Sequence, residues 1–271
     1  MKSTRKVEVD PTVQQLFDLT GKTALITGGT GFLGRSLASA LAEAGARVIV
    51  CSTSQERAES LAHQLTDPNS IGHLGLALNH MNEAGIDQAI NSLQDKVSHI
   101  DILVNNGHEA NPKDWTTVNG EEFTRQLANA TGYFLLARRI RNLAVEANKS
   151  ASILLLGSMY GLVASYPDCY DEICPASPPG YHALKGGIIH LTRHLAVYWA
   201  QDQVRVNCIS PGPFPSDLAP EKLKARLVER VPLKRIGQPS ELKGAVVYLA
   251  SDASSYVTGH NLVVDGGWTA W

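Results

Sequence analysis

The stretch that decides the fold is Thr27-Gly28-Gly29-Thr30-Gly31-Phe32-Leu33-Gly34, which joins the apolar run 23–27 to a helical pattern over 34–44. Glycines in such a turn leave room for a pyrophosphate to reach the backbone N–H groups and the positive dipole end of the helix. A glycine triplet alone is equally typical of an ordinary tight turn. Its position between a strand and a helix favours a dinucleotide site.

From Lys22 onward, short β-branched runs alternate with longer segments of helical periodicity. This alternation predicts an α/β fold with one doubly wound (Rossmann) parallel sheet of seven strands flanked by helices. We expect an N-terminal extension over residues 1–20 and a single domain over 21–271. The predicted strands are 23–27, 47–51, 75–78, 100–105, 152–157, 205–210 and 261–264, and helices are predicted over 34–44, 83–97, 121–148, 181–201 and 239–251.

Composition excludes several classes of protein. With 271 residues, 44% of them hydrophobic, the chain can bury one sizeable core, and a net charge of −2 gives no field that attracts nucleic acid. No segment reaches the roughly 18 uninterrupted apolar residues of a membrane span, and the N-terminus has no apolar leader. Four scattered cysteines indicate a reducing cytoplasm, and none has the paired spacing of a zinc site; Cys169 and Cys174 are close enough to pair or to bind a metal, but two free thiols are the commoner case.

Four motifs occur in order along the chain: the glycine turn, Asn105-Asn106-Gly107, Ser158, and Tyr181 four residues before Lys185. Together they resemble the short-chain dehydrogenase/reductase family over about residues 20–271. The resemblance implies hydride transfer between NAD(P)(H) and a secondary alcohol or ketone. It also implies a homo-oligomer, a tetramer or a dimer.

The resemblance assigns the catalytic roles. Hydride transfer to a ketone leaves negative charge on oxygen, so the site needs an acid, and Tyr181 is the candidate. Lys185, four residues on along one helix face, is expected to favour the phenolate. Ser158 ends an apolar strand, where its hydroxyl would orient the substrate oxygen. Asn129, inside a long helix, would hold a water in a proton relay with the lysine.

The same comparison assigns the cofactor cleft. NADP(H) is slightly favoured over NAD(H), because the second strand ends in Ser52, Thr53 and Ser54 without an acid to hold the ribose 2′-hydroxyl. Arg57 or Arg35 could add charge for a 2′-phosphate. The predicted cofactor contacts are Gly28, Thr30, Phe32, Leu33, Gly34, Ser52, Thr53, Asn79, His80, Asn105, Gly107, Tyr181, Lys185, Pro211, Gly212, Phe214 and Ser216.

Two features depart from the one-domain branch of the family: Phe32 replaces a usual glycine, and Ser158 lies unusually far from Tyr181. Both are similar to the extended branch, which acts on nucleotide sugars. The segments 159–180 and 214–229 are predicted to be movable walls that select a hydroxyl-rich, sugar-like or polyol-like substrate. A nucleotide-sugar epimerase or dehydratase with retained NAD, a 3-oxoacyl thioester reductase and a cofactor-sensing module stay open as alternatives.

Overall fold

Seven parallel strands form one sheet in the part of the chain that the structure, a computed structural model, describes, residues 10–271. The strand order is β3-β2-β1-β4-β5-β6-β7, so the fold and its seven strands are as predicted. The strands are β1 Thr23–Thr27, β2 Arg47–Ser52, β3 Leu74–Ala77, β4 Ile102–Asn105, β5 Ala151–Leu156, β6 Val204–Pro211 and β7 Asn261–Val264.

Helices cover both faces of this sheet. Short 3₁₀ turns at Met159–Gly161, Ala200–Asp202, Pro239–Leu242 and Asp252–Ser254 connect or extend the elements. The α-helices of the described residues are α1 Val13–Phe17, α2 Phe32–Glu43, α3 Gln55–Gln64, α4 Glu83–Asn91, α5 Gly120–Glu146, α6 Pro167–Tyr170, α7 Pro179–Trp199, α8 Glu221–Arg230 and α9 Lys243–Ala250.

The sheet separates two hydrophobic cores because successive strand residues point to opposite faces. Leu25 packs in the core beneath α4, α5 and α7, whereas Ala24 and Ile26 pack in the core beneath α2 and α9. A third, smaller cluster connects the segment after β5 with α8 and the C-terminus. It consists of Met159, Tyr160, Cys169, Leu227, Val231 and Trp268, and we call it the wall cluster.

The carboxyl ends of β1 and β4 mark the point where the strand order reverses. β1 pairs with β2 on one side and with β4 on the other, with Thr27 opposite Asn105. Parallel sheets of this topology bind ligands in the crevice at that reversal. The glycine turn after β1 therefore opens where a dinucleotide is expected.

Several predicted helix ends are wrong by a few residues, for local reasons. α4 ends at Asn91 rather than at 97, where the Ser92 hydroxyl donates to the Ala89 carbonyl and offers the chain an alternative to another helical turn. α2 begins at Phe32, because Gly31 already serves as its N-cap. The segment predicted as one helix over 239–251 is a 3₁₀ turn followed by α9.

The N-terminal segment is only partly described. Residues 1–9 of the predicted extension lie outside the described residues. α1 lies against the 3₁₀ turn at Asp252–Ser254, and the Phe17 ring lies 6.3 Å from that of Tyr248. Leu19 is fully buried, and the boundary at residue 21 stays a prediction.

Candidate functional site

The glycine turn has the geometry of a cradle for a dinucleotide phosphate. Gly28 has φ +60°, and a Cβ on it would lie 2.8 Å from the Gly107 Cα. A Cβ on Gly34 would lie 2.1 Å from the Gly28 carbonyl oxygen. Only glycine fits both positions, and the turn leads directly to the N-terminus of α2. These residues fit a nicotinamide dinucleotide.

A cleft of about 460 Å³ lies over this turn. Arg57, which approaches Thr53 Oγ1 through Nη2 at 3.2 Å, also lines it. The cleft contains most of the predicted cofactor contacts: Gly28, Thr30, Phe32, Leu33, Gly34, Ser52, Thr53, Asn79, His80 and Gly107.

Two predicted cofactor contacts do not line this cleft or the cavities beside the catalytic residues. Asn105 is fully buried, and its Nδ2 donates to the Tyr133 carbonyl at 3.0 Å, so its side chain connects β4 to α5. Ser216 lies in the loop before α8 and lines neither region. Asn106 lines the cleft instead, and its Nδ2 donates to the carbonyls of Thr27 and Gly28.

Ser158, Tyr181 and Lys185 meet in a second cavity of about 220 Å³, which we call the catalytic cavity. The predicted contacts Pro211, Gly212 and Phe214 line it as well. Tyr181 and Lys185 lie on the first turns of α7, and Ser158 follows β5. Lys185 Nζ donates to the Leu156 carbonyl at 2.6 Å and lies 5.6 Å from the centre of the Tyr181 ring.

Burial controls the protonation of this group. Desolvation lowers the pKa of Lys185 from 10.5 to about 8. Desolvation also raises the pKa of Tyr181, and a hydrogen bond with Ser158 lowers it in part. Lys185 lies beside the Tyr181 ring, and its support for the phenolate that forms during the reaction stays a prediction. Tyr181 is a neutral phenol at neutral pH, which is the form that can donate a proton.

Asn129 makes a complete set of protein hydrogen bonds. Its Oδ1 accepts from His80 Nε2 at 3.0 Å and from the Glu109 N–H at 2.8 Å. Its Nδ2 donates to the carbonyls of Glu109 and Gln126. A primary amide has two acceptor and two donor positions, so the side chain has no free position for a water. The side chain holds the loop after β4 against α5, and the part of Asn129 in a proton relay stays a prediction.

His80, one of the predicted cofactor contacts, borders the cleft with its ring turned away from solvent. Its ring is buried, bonds to Asn129 and lies edge-on to Tyr133 at 6.0 Å. Burial lowers its pKa, so the imidazole is neutral. The residue therefore borders the cleft while its side chain contacts Asn129 and Tyr133 in the interior.

His108 is a site residue that sequence reasoning missed. It borders the cofactor cleft and the catalytic cavity, and its ring lies edge-on to Tyr181 at 5.4 Å. Burial, together with the charges of Lys185 and His80, lowers its pKa to about 3. The available signal was a histidine directly after Asn105-Asn106-Gly107, at the edge where sites form.

A third cavity of about 360 Å³ adjoins Ser158 and Tyr181, and we call it the ketone cavity. Tyr160 and Tyr170 line it and share a hydrogen bond of 2.5 Å between their hydroxyls. The predicted walls both contribute, through Met159, Tyr160, Tyr170, Ser177 and Pro178 from one and Phe214, Pro215 and Leu227 from the other.

The two walls are connected to each other. Arg226 Nη1 on α8 donates to the Asp168 and Asp171 carbonyls at 2.6 and 2.7 Å. Arg230 pairs with the Asp168 carboxylate and lies over the Tyr166 ring. Leu218, Leu223 and Leu227 have helical spacing in the sequence, but Leu218 precedes α8 and is 95% exposed.

Within residues 10–271, no three His, Cys, Asp or Glu side chains are grouped as metal ligands. None of the helices in this part of the chain is both long enough and apolar enough to cross a membrane. Its four cysteines are free thiols.

Known proteins share this architecture. A family model described as enoyl-(acyl carrier protein) reductase matches residues 31–269. The structure of a short-chain type dehydrogenase/reductase from Mycobacterium marinum superimposes with a TM-score of 0.85 at 32% identity, covering 96% of this chain and 100% of the other. The chain belongs to the short-chain dehydrogenase/reductase family. It is therefore an NAD(P)-dependent oxidoreductase that acts on a secondary alcohol or ketone.

Two further family members have a stated substrate in their names. The sorbose reductase of Schizosaccharomyces pombe is 34% identical over 266 residues, which are 93% of this chain and 98% of the relative. The gluconate 5-dehydrogenase of Burkholderia cenocepacia, solved in complex with NADP and tartrate, superimposes with a TM-score of 0.86 at 28% identity. The matched region is 96% of this chain and 100% of the gluconate 5-dehydrogenase chain.

Proposed function

We propose that this member of the short-chain dehydrogenase/reductase family interconverts a polyhydroxylated, sugar-like or polyol-like ketone and the corresponding secondary alcohol, with NADP(H) as the preferred cofactor. The observation that carries the proposal is the position of Tyr181 and Ser158, which border both the catalytic cavity and the ketone cavity. A ketone there lies beside a proton donor and next to the nicotinamide end of the cofactor cleft.

Tyr181 is the acid for reduction and the base for oxidation. The cofactor supplies or accepts the hydride when bound. As a buried neutral phenol, Tyr181 donates its proton to the ketone oxygen, and Ser158 Oγ hydrogen-bonds the same oxygen and orients it. Lys185 places a cationic group beneath the tyrosine ring, which stabilises the phenolate that forms. Asn129 positions the loop that carries His108.

The preference for NADP(H) is supported by the end of the cleft at β2. Thr30 Oγ1 donates to Ser52 Oγ, and Arg57 reaches Thr53 at the N-terminus of α3. Hydroxyls, a guanidinium and a helix N-terminus together favour a 2′-phosphate. The acidic residue in the cleft lining, Glu109, follows β4 and pairs with Arg125 instead.

The substrate class is supported by the polar groups within the largely apolar lining of the ketone cavity, namely three tyrosine hydroxyls and two amide side chains. The sorbose reductase and the gluconate 5-dehydrogenase named above are similar to this chain along nearly its whole length. A homo-oligomer, either a tetramer or a dimer, belongs to the same proposal. Exposed Val197 and Tyr198 on α7, 76% and 62% accessible, offer an apolar surface for it. The cytoplasm is the proposed location.

A thioester reductase is the second candidate. The description of the matching family model, an enoyl-(acyl carrier protein) reductase, favours it. An acyl thioester presents a long apolar chain and few hydroxyls, so the two candidates differ in the polarity of the substrate that they require.

A substrate panel tests this proposal. The purified protein is assayed for oxidation of NADPH and NADH with a ketohexose, a keto-aldonate and an acetoacetyl thioester, and in reverse with a pentitol. We expect kcat/KM for the best hydroxylated ketone to exceed that for the thioester by at least about tenfold. We also expect a higher kcat/KM with NADPH. A thioester as the best substrate favours the second candidate, and sugar isomerisation without net cofactor oxidation favours an epimerase.

Arg57→Ala, assayed with the same substrates, tests the preference for NADP(H). Loss of the guanidinium should lower kcat/KM for NADPH by about tenfold and leave that for NADH within about twofold. Arg35→Ala is the matched control, because Arg35 is exposed, does not line the cleft and bonds only to the Thr30 carbonyl. Equal kcat/KM for the two cofactors in the wild type contradicts the preference.

A further inference from the structure

Three polar side chains in the ketone cavity contain a buried atom without a hydrogen-bond partner among the described residues: His108 Nδ1, Asn111 Nδ2 and Gln126 Oε1. They come from two elements, the loop after β4 and helix α5. Buried side-chain polar atoms are nearly always paired, and an unpaired one carries most of its desolvation cost. Three in one cavity therefore need an explanation.

Each of the three groups is held in place by the protein. Asn111 Oδ1 accepts from the Lys113 N–H at 3.0 Å, which leaves Nδ2 as the free donor. Gln126 is only 3% exposed, and its Oε1 is packed against Gly180 at the start of α7. His108 is held edge-on to Tyr181. The set thus offers a donor, an acceptor and a neutral imidazole, which has one of each.

We infer that His108, Asn111 and Gln126 form a subsite that binds the hydroxyl groups of the substrate next to the reacting carbonyl. This inference deepens the proposed function and rests on it. A hydroxyl both donates and accepts, so vicinal hydroxyls satisfy donor and acceptor groups together. A ketone without hydroxyls leaves the same three atoms unpaired. A site built for hydroxyls rejects such an analogue more strongly than an apolar pocket rejects an added hydroxyl.

Near-isosteric apolar variants test the subsite. Gln126→Met and His108→Phe remove the polar atoms and keep most of the volume, and Gln201→Met and His63→Phe are exposed controls far from the cavity. The substrates are 2-hydroxycyclohexanone and cyclohexanone, which differ by one hydroxyl, together with a ketohexose. We expect each cavity variant to lower the ratio of kcat/KM for 2-hydroxycyclohexanone to that for cyclohexanone by about tenfold, and Gln126→Met, which does not line the cofactor cleft, to keep kcat/KM for cyclohexanone within about twofold of the wild type. Both controls should match the wild type.

Gly180→Ala tests the same subsite without removing a polar side chain. A Cβ at position 180 would lie 2.6 Å from Gln126 Oε1 and must displace that amide. Alanine has a higher helix propensity than glycine, so the variant should fold at least as well as the wild type. We expect it to lose discrimination between the two cyclohexanones as Gln126→Met does, while cofactor affinity and the thermal midpoint are kept.

A binding measurement separates failure of the subsite from failure of the proposed function. Saturation-transfer NMR reports binding of a pentitol to the protein saturated with oxidised cofactor, whether or not turnover occurs. Pentitol binding that Gln126→Met and His108→Phe weaken supports the subsite even if no panel ketone is reduced, and then only the proposed function fails. Unchanged pentitol binding and unchanged discrimination in all three cavity variants overturn the subsite. A wild type that prefers cyclohexanone overturns it as well.

Discussion

Lys185 holds its ammonium group in the interior, where Nζ donates to the Leu156 carbonyl and lies near the rings of Tyr133 and Tyr181. Burying a charge without a carboxylate partner costs stability, and the lowered pKa measures that cost. The folded protein binds this proton less well than the unfolded chain does. The free energy of unfolding is therefore higher at high pH, where the lysine is neutral. It decreases as the pH falls from about 10.5 to about 8, where the buried lysine becomes charged.

Lys185→Met should show how much stability the buried charge costs. The variant removes the buried charge, so we expect its free energy of unfolding at pH 7 to exceed that of the wild type by about 2–3 kcal/mol, while turnover is nearly lost. The advantage should shrink as the pH rises from about 8 towards 10.5, because the wild-type lysine is then neutral in both states. Urea denaturation at fixed protein concentration measures the free energy of unfolding at each pH. A variant less stable than the wild type at pH 7 contradicts this account.

Sequence reasoning was most effective for individual residues with a fixed spacing and least effective for long-range partners. Tyr181 and Lys185 are predicted from a family resemblance that rests on four motifs in order, and the structure places both beside Ser158. The hydrogen bond between His80 and Asn129 joins residues far apart in the sequence, and no local pattern encodes it. For that reason the saturated hydrogen bonding of the Asn129 amide could not be predicted from the sequence.

At the scale of elements, α6 and α8 act as one unit. The sequence predicted two movable walls, whereas the structure connects them through Arg226, Arg230 and the buried side chains of the wall cluster. Cys169 and Leu227 both belong to that cluster. A deletion within the wall 159–180 would therefore disrupt the wall cluster as well, so a point substitution tests the role of the wall more directly.

Arg226→Ala removes two hydrogen bonds to backbone carbonyls without changing a residue of the wall cluster. We expect KM for the ketone to rise by about fivefold, because the α6 wall is less well ordered, and the Kd of the cofactor to stay within about twofold. Hydrogen exchange should be faster at the amides of residues 169–174. Lys222→Ala, at an exposed position on the same helix, is the control. Unchanged exchange in that segment would show that the two walls are independent.

For the whole molecule, the alternation of apolar runs and helical periodicity was enough to predict the sheet. Parallel strands buried on both faces have continuous apolar sequences, and the glycine turn identifies the first of them. Sequence periodicity could not predict the wall cluster. Its residues come from three separate segments, and Trp268 reaches it from the last residues of the chain. The shape of the ketone cavity depends on that assembly.

In the proposed reaction, Tyr181 transfers the proton that accompanies hydride transfer at this site. Tyr181→Phe keeps the ring that packs against His108 and removes only the hydroxyl. The decisive measurement is kcat for the best ketone of the panel, taken with the Kd of NADPH from fluorescence titration on the same preparation. We predict that kcat falls by about a thousandfold or more while the Kd stays within about twofold. A variant that reduces the ketone at the wild-type rate contradicts the account.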